Sequence, residues 1–173
     1  MELKGKKVAI LAAEMYEDLE LWYPYYRMKE AGATVVIVGP GFGPDEVKSK
    51  HGYPALLDAR AKQVRPSELD GVIIPGGYAP DLLRRCPATL KLVGSMMQEE
   101  KVVAAICHAG WVLISAGVLE VRRATSFFSI RDDMANAGAE WVDEEVVVDG
   151  RLITSRYPDD LPAFCRAIVA ALG

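Results

Sequence analysis

The chain has 173 residues, 51% of them hydrophobic and 25% charged, a balance typical of one globular domain spanning residues 1–173. The formal net charge is −4 and no block of lysine and arginine is present, which argues against nucleic acid as a partner. The apolar stretch at residues 8–13 is too short for a membrane span or a signal peptide, so we expect a cytoplasmic protein without membrane association.

The N-terminal half alternates apolar strands with helical segments. Apolar runs predict buried strands at residues 6–12, 34–38 and 71–74. A helix is predicted over residues 18–31, with Gly32 as its stop. The irregular segment 48–59 is consistent with short antiparallel strands, and residues 66–69 with a single helical turn.

The second half continues the alternation. In chain order, we predict a helix at residues 88–100, a strand at 102–106, a helix at 108–116, a helix at 132–137, a hairpin at 146–154 turning at Asp149-Gly150, and a helix at 161–172. Strands that alternate with helices predict a mostly parallel sheet with helices on both faces, an α/β fold.

Cys107 is the first candidate for chemistry, because it directly follows the predicted strand 102–106 and precedes a helix. Ligands of open α/β sheets bind at the carboxyl ends of the strands. The N–H groups of a helix N-terminus favour a thiolate, so we expect a lowered pKa for the Cys107 thiol. The position is typical of a nucleophile elbow, although position alone also allows a buried, inert cysteine.

Gly76 and Gly77 end a neighbouring predicted strand. Glycines at such a position let backbone N–H groups approach a ligand closely, and with the amide of His108 they could form an oxyanion hole. Alone, Pro75-Gly76-Gly77 is equally consistent with an ordinary loop.

A carboxyl group near the thiol is expected from the acidic segment that follows the first strand. Glu17 lies at the same edge of the sheet, but Glu14, Asp18 and Glu20 are also near in sequence, and spacing alone does not choose among them. The segment is also typical of an acidic first helical turn that only stabilises the helix dipole.

The chain has two histidines and three cysteines, and this small number limits the catalytic and metal-binding sites that it can form. His108 is adjacent to Cys107 and could serve as a general base, whereas His51 lies in a polar segment. The three cysteines are widely spaced, which argues against both a disulfide framework and a metal site. No glycine-rich dinucleotide motif follows the first strand, and we expect no cofactor.

Several segments together resemble the DJ-1/PfpI superfamily, and in particular its PfpI-like branch. The most specific are Pro75-Gly76-Gly77 and Ala105-Ile106-Cys107-His108. The other resembling stretches, in chain order, are residues 17–20, 23–24, 28–32, 50–53, 79–80, 114–119, 132–133, 136–138, 140–143 and 146–150.

The resemblance implies a flavodoxin-like three-layer sandwich with Cys107 as nucleophile, Glu17 as its carboxyl partner and His108 as the adjacent histidine. It also implies that Gly77 and the His108 amide form the oxyanion hole. In PfpI-like members a glutamate of a neighbouring subunit approaches the histidine. The matching position here is Asp81, whose side chain is shorter, and a family tyrosine of the substrate pocket corresponds to Phe127.

The family's activities define the functional expectations. They are an intracellular cysteine peptidase and a glutathione-independent glyoxalase that converts methylglyoxal to lactate; protein deglycation has also been claimed. The alternative is a non-catalytic stress protein, redox-sensing or chaperone-like, that uses oxidation of Cys107. The resemblance further implies a homodimer or homohexamer. A class I glutaminase is disfavoured, because no histidine follows His108.

Overall fold

The computed structural model describes residues 2–173, which form eleven strands and six α-helices. The strands are β1 (Lys7–Leu11), β2 (Thr34–Gly39), β3 (Glu46–Lys48), β4 (Pro54–Leu56), β5 (Ala59–Arg60), β6 (Gly71–Ile74), β7 (Val102–Ile106), β8 (Arg123–Ala124), β9 (Glu140–Trp141), β10 (Val146–Asp149) and β11 (Leu152–Ser155). The helices are α1 (Asp18–Glu30), α2 (Ala79–Leu83), α3 (Pro87–Gln98), α4 (Gly110–Ser115), α5 (Arg131–Asn136) and α6 (Leu161–Leu172).

Seven of the strands form the central sheet, in the order β10-β11-β7-β6-β1-β2-β5. Every neighbouring pair is parallel except β10 and β11, which form the predicted antiparallel hairpin. All residues of β6 and β7 are buried, as expected for parallel strands that are covered on both faces. The prediction of a mostly parallel α/β sheet is confirmed.

The helices cover both faces of this sheet. The chain passes from β1 to β2 through α1, and in the opposite direction from β6 to β7 through α3. Right-handed crossovers in opposite directions place their helices on opposite faces. Helix α6 packs against α1, and α4 packs against α3, so each face carries a pair of helices.

The structure differs from the predictions in a few local details. The hairpin turns at Gly150-Arg151, because Asp149 still pairs with Leu152. The helix expected from residue 108 begins as a 3-10 turn, Cys107–Ala109, and becomes α-helical at Gly110. Helix α2 was not predicted; its proline at the second position suits a helix start. No helix of residues 2–173 is long and apolar enough to cross a membrane.

The carboxyl ends of the adjacent strands β7, β6 and β1 meet at one edge of the sheet. The chain changes direction between β6 and β1, and such a switch point opens a crevice between the loops that follow the two strands. The fold therefore brings three loops together there: residues 12–17 after β1, residues 75–78 after β6, and the turn after β7.

Candidate active site

Cys107 lies at a sharp turn between β7 and the following 3-10 turn. Its φ is +63°, in the left-handed region, whereas Ile106 before it is still extended. Left-handed backbone costs a residue with a Cβ about 1 kcal/mol or more. The chain keeps this strained conformation directly at the edge where the three loops meet, and it is the conformation expected of a nucleophile elbow.

Gly76 makes room for the groups around the thiol. A Cβ at this position would lie 2.7 Å from the Cβ of Cys107 and 2.5 Å from Oε2 of Glu20. No side chain fits into that space. The glycine thus lets Cys107 from β7 and Glu20 from α1 approach the same backbone segment.

The carboxyl group beside the thiol belongs to Glu20, so the expectation that Glu17 takes this place is wrong. Glu20 is fully buried, its Oε2 accepts a 2.7 Å hydrogen bond from the amide of Gly76, and its carboxyl interacts with Cys107. Its Oε1 has no hydrogen-bond partner among residues 2–173. Glu17 lies at the start of the helix, and Glu20 lies one turn deeper on the same side.

The other acidic residues of this segment have different partners. Glu17 forms an ion pair with Lys50 at 2.7 Å. Asp18 accepts a hydrogen bond from Ser49 and pairs with the exposed His51, both in the loop after β3. The acidic segment therefore contributes one buried carboxyl group to the thiol and a rim of paired charges around it.

The surroundings of Cys107 raise the pKa of its thiol to about 12, chiefly through burial and then through the charge of Glu20. The expected lowering is therefore wrong. The amides of His108 and Gly77 do act in that direction, but burial outweighs them. Burial likewise raises the pKa of Glu20 to about 8. Near pH 7 the thiol and the carboxyl group both hold their protons.

His108 lies against the thiol, with Nδ1 at 3.2 Å from Sγ of Cys107. On the other side of the ring, Nε2 lies 3.2 Å from Oγ of Ser129. The ring stacks on Phe127 and meets Trp111 edge-on. Burial lowers the pKa of His108, with the charge of Lys50 as a second cause, so the imidazole is a neutral base near pH 7.

Two backbone amides face the sulfur. Those of Gly77 and His108 both interact with the Cys107 thiol, so they are placed to bind negative charge that develops beside it. The amide of Gly76 is already donated to Glu20. The structure thus leaves two donors, Gly77 and His108, from the three residues expected at an oxyanion hole.

These groups open into a pocket of about 380 Å³. Phe127 lies on its wall, as do Trp111, Met15 and Pro158, so the lining around the thiol is largely apolar. Asp81 is not among the lining residues; it forms an ion pair with Arg85, which lies two residues beyond the end of α2. A contact between Asp81 and a second subunit stays a prediction.

Three residues of types that can bind metal ions lie close together in the fold, although their spacing in the sequence does not indicate a metal site. Among residues 2–173, oxygen or nitrogen atoms of Glu17, Asp18 and His51 all lie within 4.8 Å of one another. These groups already pair with Lys50, Ser49 and each other, and we assign no metal to them.

The sequence does not indicate that Lys50 pairs with Glu17 or that Ser129 contacts His108. Lys50 lies in a loop 33 residues beyond its partner Glu17, and Ser129 lies 21 residues beyond His108. Neither spacing is a recognisable motif. The only available signal was for Lys50, which belongs to the stretch Lys50-His51-Gly52-Tyr53 that contributed to the family resemblance.

Comparisons with known proteins place these features in one family. The model of the DJ-1/PfpI family matches residues 6–171. The chain is 46% identical to Deglycase PfpI of Pyrococcus furiosus over 166 residues, covering 96% of this chain and 99% of that protein. It is 41% identical to Putative cysteine protease YraA of Bacillus subtilis, covering 94% and 95% of the two chains.

A solved structure gives the same result for the fold. It is a two-domain protein with DJ-1/ThiJ/PfpI-like and ferritin-like domains from Anabaena variabilis, 45% identical to this chain, with a TM-score of 0.94. The match covers 97% of this chain and 48% of the two-domain protein. The flavodoxin-like α/β fold is therefore shared.

Proposed function

Because this chain belongs to the DJ-1/PfpI family, in which relatives are named as a deglycase and a putative cysteine protease, we propose that it is an enzyme whose nucleophile is Cys107. The proposed substrates are small reactive carbonyl compounds such as methylglyoxal. One observation carries the proposal: a strained cysteine lies between a buried carboxyl group and a neutral histidine, in a pocket of only about 380 Å³.

The first step is addition of the thiol to the aldehyde carbon. With its own proton on Nε2 and donated to Ser129, His108 has Nδ1 free to accept the proton of Cys107 as the C–S bond forms. The aldehyde oxygen gains the negative charge, and the amides of Gly77 and His108 are placed to stabilise it. Protonation of that oxygen gives a hemithioacetal.

The second step moves hydrogen between the two carbons of the adduct. A base removes the proton from the former aldehyde carbon, and a proton is returned to the neighbouring carbonyl carbon, which leaves a 2-hydroxyacyl thioester. Glu20 is suited to this relay, because its raised pKa lets it hold and release a proton near neutral pH. Water then cleaves the thioester and releases lactate and the thiol, so methylglyoxal and water are the only reactants consumed.

The pocket supports a small substrate. A volume of about 380 Å³ lies at the low end of the range for small-molecule sites, and its apolar walls suit a compact carbonyl compound. Tight enclosure also fixes the aldehyde close to Sγ, which accounts for a large part of the rate of such additions.

Peptide hydrolysis is the second candidate, favoured by the two amides that face the sulfur and by the relative named as a putative cysteine protease. The same thiol would form an acyl-enzyme, with His108 returning its proton to the leaving amine. An extended peptide needs a longer groove than this pocket provides within one chain.

The experiment is to incubate wild type and Cys107→Ala with methylglyoxal and to measure lactate by an enzymatic assay. We expect multiple turnovers for wild type and none above the buffer rate for Cys107→Ala. Turnover of a quenched peptide but not of methylglyoxal would favour the peptidase. Absence of both activities, with stoichiometric oxidation of Cys107 by peroxide, would replace the proposal with the redox-sensing alternative.

A further inference from the structure

The pocket contains one cation, Lys50, and its charge is cancelled locally. Lys50 Nζ lies 2.7 Å from Oε2 of Glu17, and both side chains line the pocket. The Glu17 side chain is 14% exposed and that of Lys50 is 43% exposed. The pair therefore lies at the mouth of the pocket, where an entering substrate passes it.

Three other titratable groups of the pocket, Glu20, Cys107 and His108, are uncharged near pH 7. Glu20 has its pKa raised to about 8, Cys107 has its pKa raised further, and the pKa of His108 is lowered. The remaining lining groups that can ionise are the phenols of Tyr78 and Tyr157. The ion pair thus supplies the only full charges that face the reacting thiol among the pocket residues, and they sum to zero.

The field of Lys50 reaches the site of reaction. Its charge contributes to the lowered pKa of His108, and Lys50 in turn interacts with Cys107 and Glu20. The pair is also held in place by its backbone: the Lys50 amide donates to the carbonyl of Tyr16, and the Glu17 amide to that of Gly76. A change on either member therefore alters the potential at the thiol rather than only at the surface.

We infer that Glu17 is a specificity-determining residue that neutralises Lys50, so that the pocket admits uncharged carbonyl compounds in preference to those carrying a carboxylate. An anion beside Lys50 has to replace or approach the carboxylate of Glu17, and like charges repel in a partly desolvated site. This inference deepens the proposed function and rests on it, since the selected compound is the one that reacts at Cys107.

The experiment compares two alkylating agents that differ in charge, iodoacetate and iodoacetamide. Their alkylation rates at Cys107 are measured by peptide mass spectrometry at pH 7.5 in wild type, Glu17→Gln, Lys50→Gln and the double variant. The quantity compared is the ratio of the iodoacetate rate to the iodoacetamide rate. A change in the intrinsic reactivity of the thiol affects both rates and cancels in this ratio.

We expect the ratio to rise about tenfold in Glu17→Gln, because the positive charge of Lys50 is no longer neutralised. We expect it to fall about tenfold in Lys50→Gln, because the negative charge of Glu17 is then unpaired. The double variant should return to within about twofold of wild type, because its pocket is again neutral. An unchanged ratio in both single variants, or a double variant that does not return, would overturn the inference. The rates require no turnover, so failure of methylglyoxal conversion is a separate result that bears on the proposed function alone.

Discussion

Burial acts in a similar way on the thiol pKa of two cysteines in this chain, Cys107 and Cys165, but the groups around the two sulfurs are very different. Burial raises the pKa of both Cys107 and Cys165 to about 12. Cys165 lies in the middle of α6, 1% exposed, within the apolar core. Cys107 lies at the carboxyl edge of the sheet, on strained backbone, with Glu20, His108 and two backbone amides around its sulfur.

The contrast separates the causes of reactivity. A resting thiol with a raised pKa is a weak nucleophile at either position. In the proposed mechanism His108, with Nδ1 at 3.2 Å from the sulfur, takes the proton of Cys107 during attack, and the two amides stabilise the product charge. Cys165 has only the packing contacts of the apolar core. What distinguishes the surroundings of Cys107 is therefore the set of groups around the thiol, namely the carboxyl group of Glu20, the imidazole of His108 and two backbone amides.

The largest expected effect comes from exchanging the sulfur itself. Cys107→Ser should lower kcat/KM for methylglyoxal by about a thousandfold or more, because a hydroxyl is a far weaker nucleophile than a thiol. Cys165→Ser should leave kcat/KM within about twofold, but lower the free energy of unfolding by about 1–3 kcal/mol, since it buries a hydroxyl in the core. Steady-state kinetics and urea unfolding check the pair. Equal loss of turnover in both variants would contradict the contrast.

Removal of the buried carboxyl group should have the next largest effect. Glu20→Gln should lower kcat about a hundredfold through loss of the proton relay. It should also increase the rate at which iodoacetamide alkylates Cys107 between pH 8 and 10, because the carboxylate charge that raises the thiol pKa is gone. Glu14→Gln is the matched control, because Glu14 belongs to the same acidic segment but does not line the pocket, and it should leave the pH dependence of alkylation unchanged. Slower alkylation in Glu20→Gln would show that the carboxyl group stabilises the thiolate instead.

The same carboxyl group should leave a signature in stability. Its folded-state pKa of about 8 lies above the ordinary value of 4.5, so the native state keeps a proton that the unfolded chain releases. The free energy of unfolding of wild type should therefore fall as the pH rises from about 4.5 to 8. Glu20→Gln should lose this decline. Denaturant unfolding across the pH range, compared between the two proteins, checks it; parallel curves would rule out a buried, protonated Glu20.

The smallest expected effect concerns Ser129, which does not line the pocket and whose Oγ lies 3.2 Å from Nε2 of His108. Ser129→Ala should lower kcat/KM by roughly threefold to tenfold and move the acidic limb of the pH–rate profile to lower pH, because the imidazolium loses a hydrogen-bond acceptor. Ser129→Thr keeps the hydroxyl and should restore both values. His108→Gln, with a loss of about a hundredfold or more, sets the upper limit. An unshifted profile in Ser129→Ala would assign the residue no part in positioning the ring.

Local patterns in the sequence were sufficient for most of the framework. Apolar runs such as residues 71–74 and 102–106 predict buried strands because parallel strands are covered on both faces. The elbow at Cys107 followed from the same pattern, since it is the first residue after such a run. The two-residue strands β5, β8 and β9 have no comparable run, because their pairing depends on neighbours distant in sequence.

The sequence does not predict which of Glu17 and Glu20 lies beside the thiol. Both residues are acidic and lie at the start of α1. Which one is buried at the thiol depends on how the helix packs against Gly76, and this packing is set by the fold. The thiol pKa was misjudged for a related reason. The position before a helix was visible in the sequence, whereas the degree of burial and the nearby carboxyl group depend on three loops that meet only in the folded chain.

The most direct test of the contrast is to label the folded protein briefly with iodoacetamide and quantify modification of Cys86, Cys107 and Cys165 by peptide mass spectrometry, with and without methylglyoxal. We predict that Cys107 is modified at least tenfold faster than either buried cysteine, and that methylglyoxal protects it by occupying the sulfur as a hemithioacetal. Modification of Cys86 or Cys165 ahead of Cys107, or labelling of Cys107 that methylglyoxal does not slow, would contradict the assignment of Cys107 as the nucleophile.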